Sequence, residues 1–93
     1  MEIGQNVIAI ESFKDGILRT YGEGEYLGSK VPDIKPFNEA NVKNPCIKLK
    51  NGKYVWGFQC WWGSKKVFYE KYEEHIKEEI VVDDFDIVSI KEE

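Results

Sequence analysis

Between Ala40 and Tyr69 the chain carries no acidic residue, yet this interval holds six of its thirteen Lys and Arg side chains and all three of its tryptophans. The densest part is Trp61-Trp62-Gly63-Ser64-Lys65-Lys66. Ser64 opens a helical pattern, so free backbone N–H groups converge there. Two lysines add positive charge, and an outward tryptophan offers a face on which a base or an aromatic side chain stacks. Taken with Lys48, Lys50 and Gln59 on the outer face of the preceding hairpin, these residues suit an anionic ligand or a protein partner anchored on Trp61. The same lysines would also serve simply to solvate an exposed sheet face, with Trp61 covered by the acidic tail.

Catalytic chemistry has little to work with. Ser64 and His75 are too far apart for helical spacing to join them, and neither Cys46 nor Cys60 has a base partner nearby in sequence. Two cysteines and one histidine do not complete a structural zinc set, so no metal and no cofactor is expected. His75 with Glu78 or Glu79 makes at most half a site, and Asp83, Asp84 and Asp86 lack calcium-loop spacing. Gly22-Glu23-Gly24 is no dinucleotide fingerprint, because no third glycine and no helix follow. A non-enzymatic protein is expected.

The elements that must position these residues follow from patterning. Cys46 to Leu49 and Tyr54 to Trp62 alternate around Asn51-Gly52, which suits a two-residue type I′ turn. That turn pairs Leu49 with Tyr54 and Ile47 with Trp56. One face then carries Ile47, Leu49, Tyr54, Trp56, Phe58, Cys60 and Trp62 as core; the other carries Cys46, Lys48, Lys50, Lys53, Val55, Gly57, Gln59 and Trp61. The cysteines fall on opposite faces and remain free. An earlier hairpin is predicted from Val7–Ile10 and Ile17–Tyr21 around Lys14-Asp15-Gly16. Four of the eight glycines lie between positions 16 and 28, where they suit bends in a curved sheet. Residues 29–44 read as a loop with a short helix after Pro36, either a binding element or a cover for one open end of a barrel. Phe68, Tyr72, Ile76 and Ile80 recur every four residues, which predicts an amphipathic helix of about 15 residues capped by Ser64. Phe85 to Ile90 closes the chain as a last strand.

Ninety-three residues make a single domain, 1–93, of the soluble globular class, with 42% apolar and 32% charged residues. The amino terminus lacks the basic start and apolar run of a secretory signal, and no segment reaches membrane-spanning length, so a cytoplasmic location is expected. The net charge of −4 is divided unevenly: residues 70–93 have ten acids and three lysines, while residues 1–69 have ten bases and seven acids. A basic patch on an acidic protein is therefore compatible with the composition.

The short Gly4-x-x-Val7-x-x-Ile10 strand, the glycine-punctuated strands and the hairpin Ile47-x-Leu49-x-Asn51-Gly52-x-x-Val55-x-Gly57 resemble small Src-homology-three-like barrels over residues 4 to 62. The resemblance implies a mainly β (α+β) domain: a barrel-like antiparallel sheet of five or six strands, with one C-terminal amphipathic helix and a final strand. It carries over no functional residue. The functional expectation is a small binding module, an adaptor or inhibitor that recognises a protein, of a size that suits an accessory protein of a bacterium or phage. The alternative is a binder of a nucleotide or single-stranded nucleic acid through Trp61, Lys48, Gln59, Ser64, Lys65 and Lys66.

Overall fold

In the computed structural model, which describes residues 1–92, the domain is mainly β, as the patterning implied. The strands are β1 (Asn6–Lys14), β2 (Ile17–Lys30), β3 (Asn44–Leu49), β4 (Tyr54–Trp56), β5 (Trp61–Ser64) and β6 (Glu78–Val81). A short helix α1 (Phe37–Ala40) lies in the crossover between β2 and β3, and helix α2 (Lys65–Tyr72) follows β5 directly. The sheet order is β4-β3-β2-β1-β5, antiparallel throughout, with β6 added in parallel to the start of β2. The outermost strands β4 and β5 are joined by only four residues, so the sheet must curl. It does not close into a barrel, because no ladder links β4 to β5 among the described residues.

The first hairpin is the one that uses a type I′ turn. Asp15 and Gly16 both have positive φ, 53° and 81°, and Lys14 pairs with Ile17. The second hairpin differs from the expectation. At Asn51-Gly52 only Gly52 has positive φ, Gly52 N–H donates to Leu49 C=O, and Leu49 N–H donates to Lys53 C=O. This is a three-residue loop with glycine in the left-handed position. It shifts the register by one residue, so Trp56 pairs with Cys46, and Val55 with Ile47. A one-residue slip turns every side chain of β4 to the other face. Val55 therefore joins Ile47 and Leu49 with Val7 and Ala9, whereas Trp56 joins Cys46 and Val88 on the reverse side. Phe58, expected in the core, is instead exposed in the turn and stacks on Phe37.

Both sheet faces are thus covered. Val7, Ile8, Ala9 and Ile10 are consecutive and all buried, alternating between two clusters, as a strand flanked on both sides requires. Thr20 repairs the ladder where Tyr21 is an extra residue between the Ala9–Gly22 and Ile10–Thr20 pairs. Its buried hydroxyl donates to Ala9 C=O at 2.7 Å and accepts from Gly22 N–H at 2.8 Å, so the interrupted backbone groups stay satisfied.

The C-terminal region departs most from expectation. Helix α2 ends at Tyr72 and tightens into a 3-10 turn, Glu73–His75, well short of Ile80. Lys77 and Glu78 N–H groups then donate to Gly16 C=O, and the β-branched run Ile80-Val81 enters the sheet beside β2. The early end does not relieve the helix dipole, since Glu73 and Glu74 stand at the new terminus; it frees residues 78–81 to pair with β2. The final strand is therefore Glu78–Val81. Residues 85–90, expected as that strand, run as an irregular strap that meets the crossover at an isolated bridge, Pro32 with Ile90. The strap accepts a hydrogen bond from Trp56 Nε1 at Val88 C=O, 2.8 Å long.

Trp56 has no solvent exposure and ties β4 to the strap. Its replacement by alanine is expected to cost about 3–5 kcal/mol through the cavity and the orphaned carbonyl. Denaturant titration should show this loss, while Phe58→Ala, at an exposed ring, should cost much less.

Candidate functional site

Trp61 opens β5 and pairs with Ile10 at the point where β5 begins. Its indole is more than half exposed, at 57%. Gly63 makes this possible, because a Cβ there would sit 3.2 Å from the indole edge, so the ring folds down over glycine backbone. On its other side the indole meets Phe68 at 5.9 Å between centroids. Phe68 in turn contacts Tyr72 at 5.1 Å and Phe13 at 6.1 Å, and Phe13 meets Tyr72 edge-on at 5.9 Å. The result is an open aromatic groove of about 420 Å³ whose floor includes Ile10 and whose rim is Glu11, Ser12 and Phe13 of β1. Val67, 59% exposed, continues the apolar surface on the helix side.

Each wall has a sequence cause. Ser64 caps α2, its Oγ accepting Val67 N–H at 3.3 Å, and this fixes Phe68 and Tyr72 at four-residue spacing toward the sheet. Phe13 reaches the same face as Ile8 and Ile10 because Glu11 is an extra residue between the Ile10–Thr20 and Ser12–Arg19 pairs. Without that bulge, parity would send Phe13 to the opposite face.

The residues anticipated to act with Trp61 are only partly brought together. Lys65 pairs with Glu23, and so does Lys50, so one carboxylate holds both ammonium groups. These two partners pull the Glu23 carboxyl down to about 2. Lys66 faces Glu70 one helical turn on, at 4.0 Å. Gln59 is a latch for the β4–β5 turn: its Oε1 accepts Trp56 N–H, and its Nε2 donates to Asp86 C=O, both at 3.0 Å. Lys48 lies on β3, separated from β5 by β2 and β1. Trp61 and Ser64 share one hollow, Ser64, Lys65 and Lys66 share another on the far side of the cap, and Lys48 and Gln59 belong to other parts of the surface.

Phe13, Phe68 and Tyr72 were not singled out as site residues in the sequence. The last two belonged to the apolar stripe of the helix, whose spacing does not distinguish a buried ring from one that also walls a groove. Another cleft, about 630 Å³, lies between the crossover and the strap, with Lys30, Lys43 and Lys91 on its walls. Lys91 Nζ is committed there to Asn38 C=O and Asn41 Oδ1, both at 2.7 Å.

Nucleophilic chemistry finds no support in the thiols. Burial pushes Cys46 up to about 11 and Cys60 up to about 12, so both are protonated at neutral pH. Both are free. Among the described residues no group of three or more His, Cys, Asp or Glu side chains is arranged to hold a metal ion, and no helix is long and apolar enough to cross a membrane. Compared with protein families, with curated proteins and with solved structures, the chain gives no match.

Glu23 joins β2, the β3–β4 loop and the first residue of α2, which makes it a pH-dependent fastener. Its folded value lies below the ordinary 4.5, so it stabilises the fold above about pH 4.5, and that contribution disappears as pH falls through about 2. Both lysines are substantially exposed, which limits the effect to about 1 kcal/mol, or roughly 4–8 °C in Tm. Melts of the parent and of Glu23→Gln should differ by this amount at pH 7 and converge toward pH 2.

Proposed function

We propose that the domain is a small non-enzymatic binding module, an adaptor or inhibitor, whose partner is a protein that docks on the Trp61 groove. The observation that carries this reading is the exposed indole, held in place by Gly63 and Phe68 at the mouth of an aromatic groove. Interface hot spots draw heavily on tryptophan and tyrosine, since these rings bury much area with few rotamers to freeze. A solvent-facing indole with aromatic neighbours on one side fits such an anchor. The antiparallel sheet is that of a small β fold, which bears on architecture alone.

The alternative, a nucleotide or single-stranded nucleic acid at the Trp61–Lys66 patch, has less support from the charges. Lys65 already shares Glu23 with Lys50, and Lys66 faces Glu70. An anion would meet more available ammonium groups in the cleft of Lys30 and Lys43, away from the indole.

The test is affinity capture from host lysate with and without nuclease, using the parent and Trp61→Ala, followed by titration of the captured partner at two salt concentrations. Trp61→Ala should keep stability within about 1 kcal/mol, because it removes no core residue, yet weaken a protein partner by about 2 kcal/mol or more, some thirtyfold in Kd. A steep salt dependence that survives Trp61→Ala and is lost on Lys30→Glu with Lys43→Glu would replace this reading with an anionic ligand in the crossover cleft. A partner that binds both proteins equally would place the binding surface elsewhere.

A further inference from the structure

Strand β1 runs nine residues, but β5 pairs with only Val7 to Ile10 of it. From Glu11 to Lys14, β1 is paired with β2 on one edge and has no strand on the other among the described residues. Lys14 and Ile17 flank the type I′ turn and form its hydrogen-bonded pair, so the next pair, Phe13 with Leu18, is a non-hydrogen-bonded one. Leu18 accordingly faces β6 on its far edge, opposite Glu79. By the same alternation the N–H and C=O of Phe13 point away from β2, into the open edge. That edge is the rim of the aromatic groove: Phe13, Phe68, Tyr72 and Trp61 stand beside it.

We propose that the groove receives an extended, acidic peptide segment of its partner by strand addition to Glu11–Lys14 of β1, collinear with β5. This rests on the reading of the Trp61 groove as the binding surface and specifies its mode. Antiparallel addition continues the direction of β5, so the C-terminal end of the segment abuts Trp61. Main-chain bonds to Phe13 supply register, and one bulky apolar side chain of the segment settles on Phe68 and Tyr72 next to the indole.

Charge selects the occupant. Lys71 lines the adjoining helix-side hollow that shares Trp61, Phe68 and Tyr72 with the groove, its ammonium over the Tyr72 ring, 5.3 Å from the centroid, and Lys14 ends the open edge. Neither has a carboxylate within 4 Å among the described residues. The one acid on the rim, Glu11, is held by Arg19 at 2.6 Å. A segment with carboxylates at its ends complements two unpaired cations, and a basic one meets repulsion. The bulge at Glu11 keeps the open edge short and twisted, which opposes stacking of many copies while leaving room for a single short strand.

The probe is a pair of blocked pentapeptides, acetyl-Asp-Val-Leu-Val-Asp-amide and its central-phenylalanine counterpart, titrated into the ¹⁵N-labelled domain. Saturable binding is expected, with quenching or shift of Trp61 fluorescence and slowed exchange of the Phe13 amide. Methylating the central peptide nitrogens should weaken binding at least about tenfold, and so should Trp61→Ala. Replacing both aspartates by lysine, or Lys71 by glutamate, should weaken it several-fold at low salt. If neither peptide binds, if binding leaves Phe13 exchange unchanged, or if sedimentation shows the edge occupied by a second copy of the chain, the proposal is overturned. If a captured partner still depends on Trp61 while Phe13 stays unprotected, only the strand-addition mode falls. If no partner depends on Trp61, the reading beneath it falls as well.

Discussion

Strand β2 has to hydrogen-bond along both edges to three neighbours, and the rest of the domain is arranged around that demand. Its fourteen residues pair with β1 over most of their length, with β6 at Ile17–Thr20 and with β3 from Gly24 onward. No flat strand does this, since the partners lie along different stretches of a curled sheet. The bend is made where Gly22 adopts φ 107°, next to the Tyr21 irregularity that Thr20 bridges. Gly24 then lets β3 approach so closely that any Cβ would collide with the Lys48 carbonyl. Glycine weakens a strand on entropic grounds; here it is required by the backbone path.

From this path follows the burial on two faces. Because the sheet curls, Val7 and Ala9 of β1 meet the concave cluster with Ile47, Leu49 and Val55, while Ile8 and Ile10 meet Leu18 and Phe68. A third cluster forms where the strap covers Trp56, Cys46 and Leu27. A domain of this size buries little surface for each residue it must order. Covering three separate patches with one helix and one strap is how this chain gains enough burial.

Much of this was legible in the residues, and what was not has identifiable physical causes. The mainly β class, the first hairpin, the Ser64 cap and the outward Trp61 all follow from local patterning and stand in the structure. Asp15-Gly16 and Asn51-Gly52 look alike as sequences, yet only the first is a type I′ turn. The second takes one more loop residue because Trp56 then reaches the strap, whose Val88 carbonyl lies 32 positions downstream. Local rules do not contain that contact. Trp61 came out on the solvent side although the β4 phase was reversed, because the turn held by Gln59 resets the alternation before β5. The apolar spacing predicts a longer helix than the chain forms, because Ile76 and Ile80 keep a four-residue spacing beyond it. Ile76 packs on the helical cluster from beyond the helix, while Ile80 lies in β6, beside Arg19. As for the site, the sequence placed Trp61 but not its aromatic neighbours, since Phe13 joins them only through a bulge.

The openness of the groove is itself a consequence of β2. To pair β6 with Ile17–Thr20, the chain must leave α2 early and return to the sheet at Lys77 and Glu78, whose N–H groups both bond Gly16. The helix therefore spans only Lys65 to Tyr72, with Phe68 as its one buried residue. A helix extended through Ile80 would have competed with β6 for the same residues, and β6 adds pairing along the edge of β2 at Ile17–Thr20 and β-branched packing, whereas further helical turns would leave that edge unpaired. What a short helix cannot do is cover the whole face of β1. It stops over Phe13, so the rim from Glu11 to Lys14 and the indole of Trp61 remain uncovered on that side. The same demand that fixes the sheet thus leaves one aromatic edge without a partner strand among the described residues.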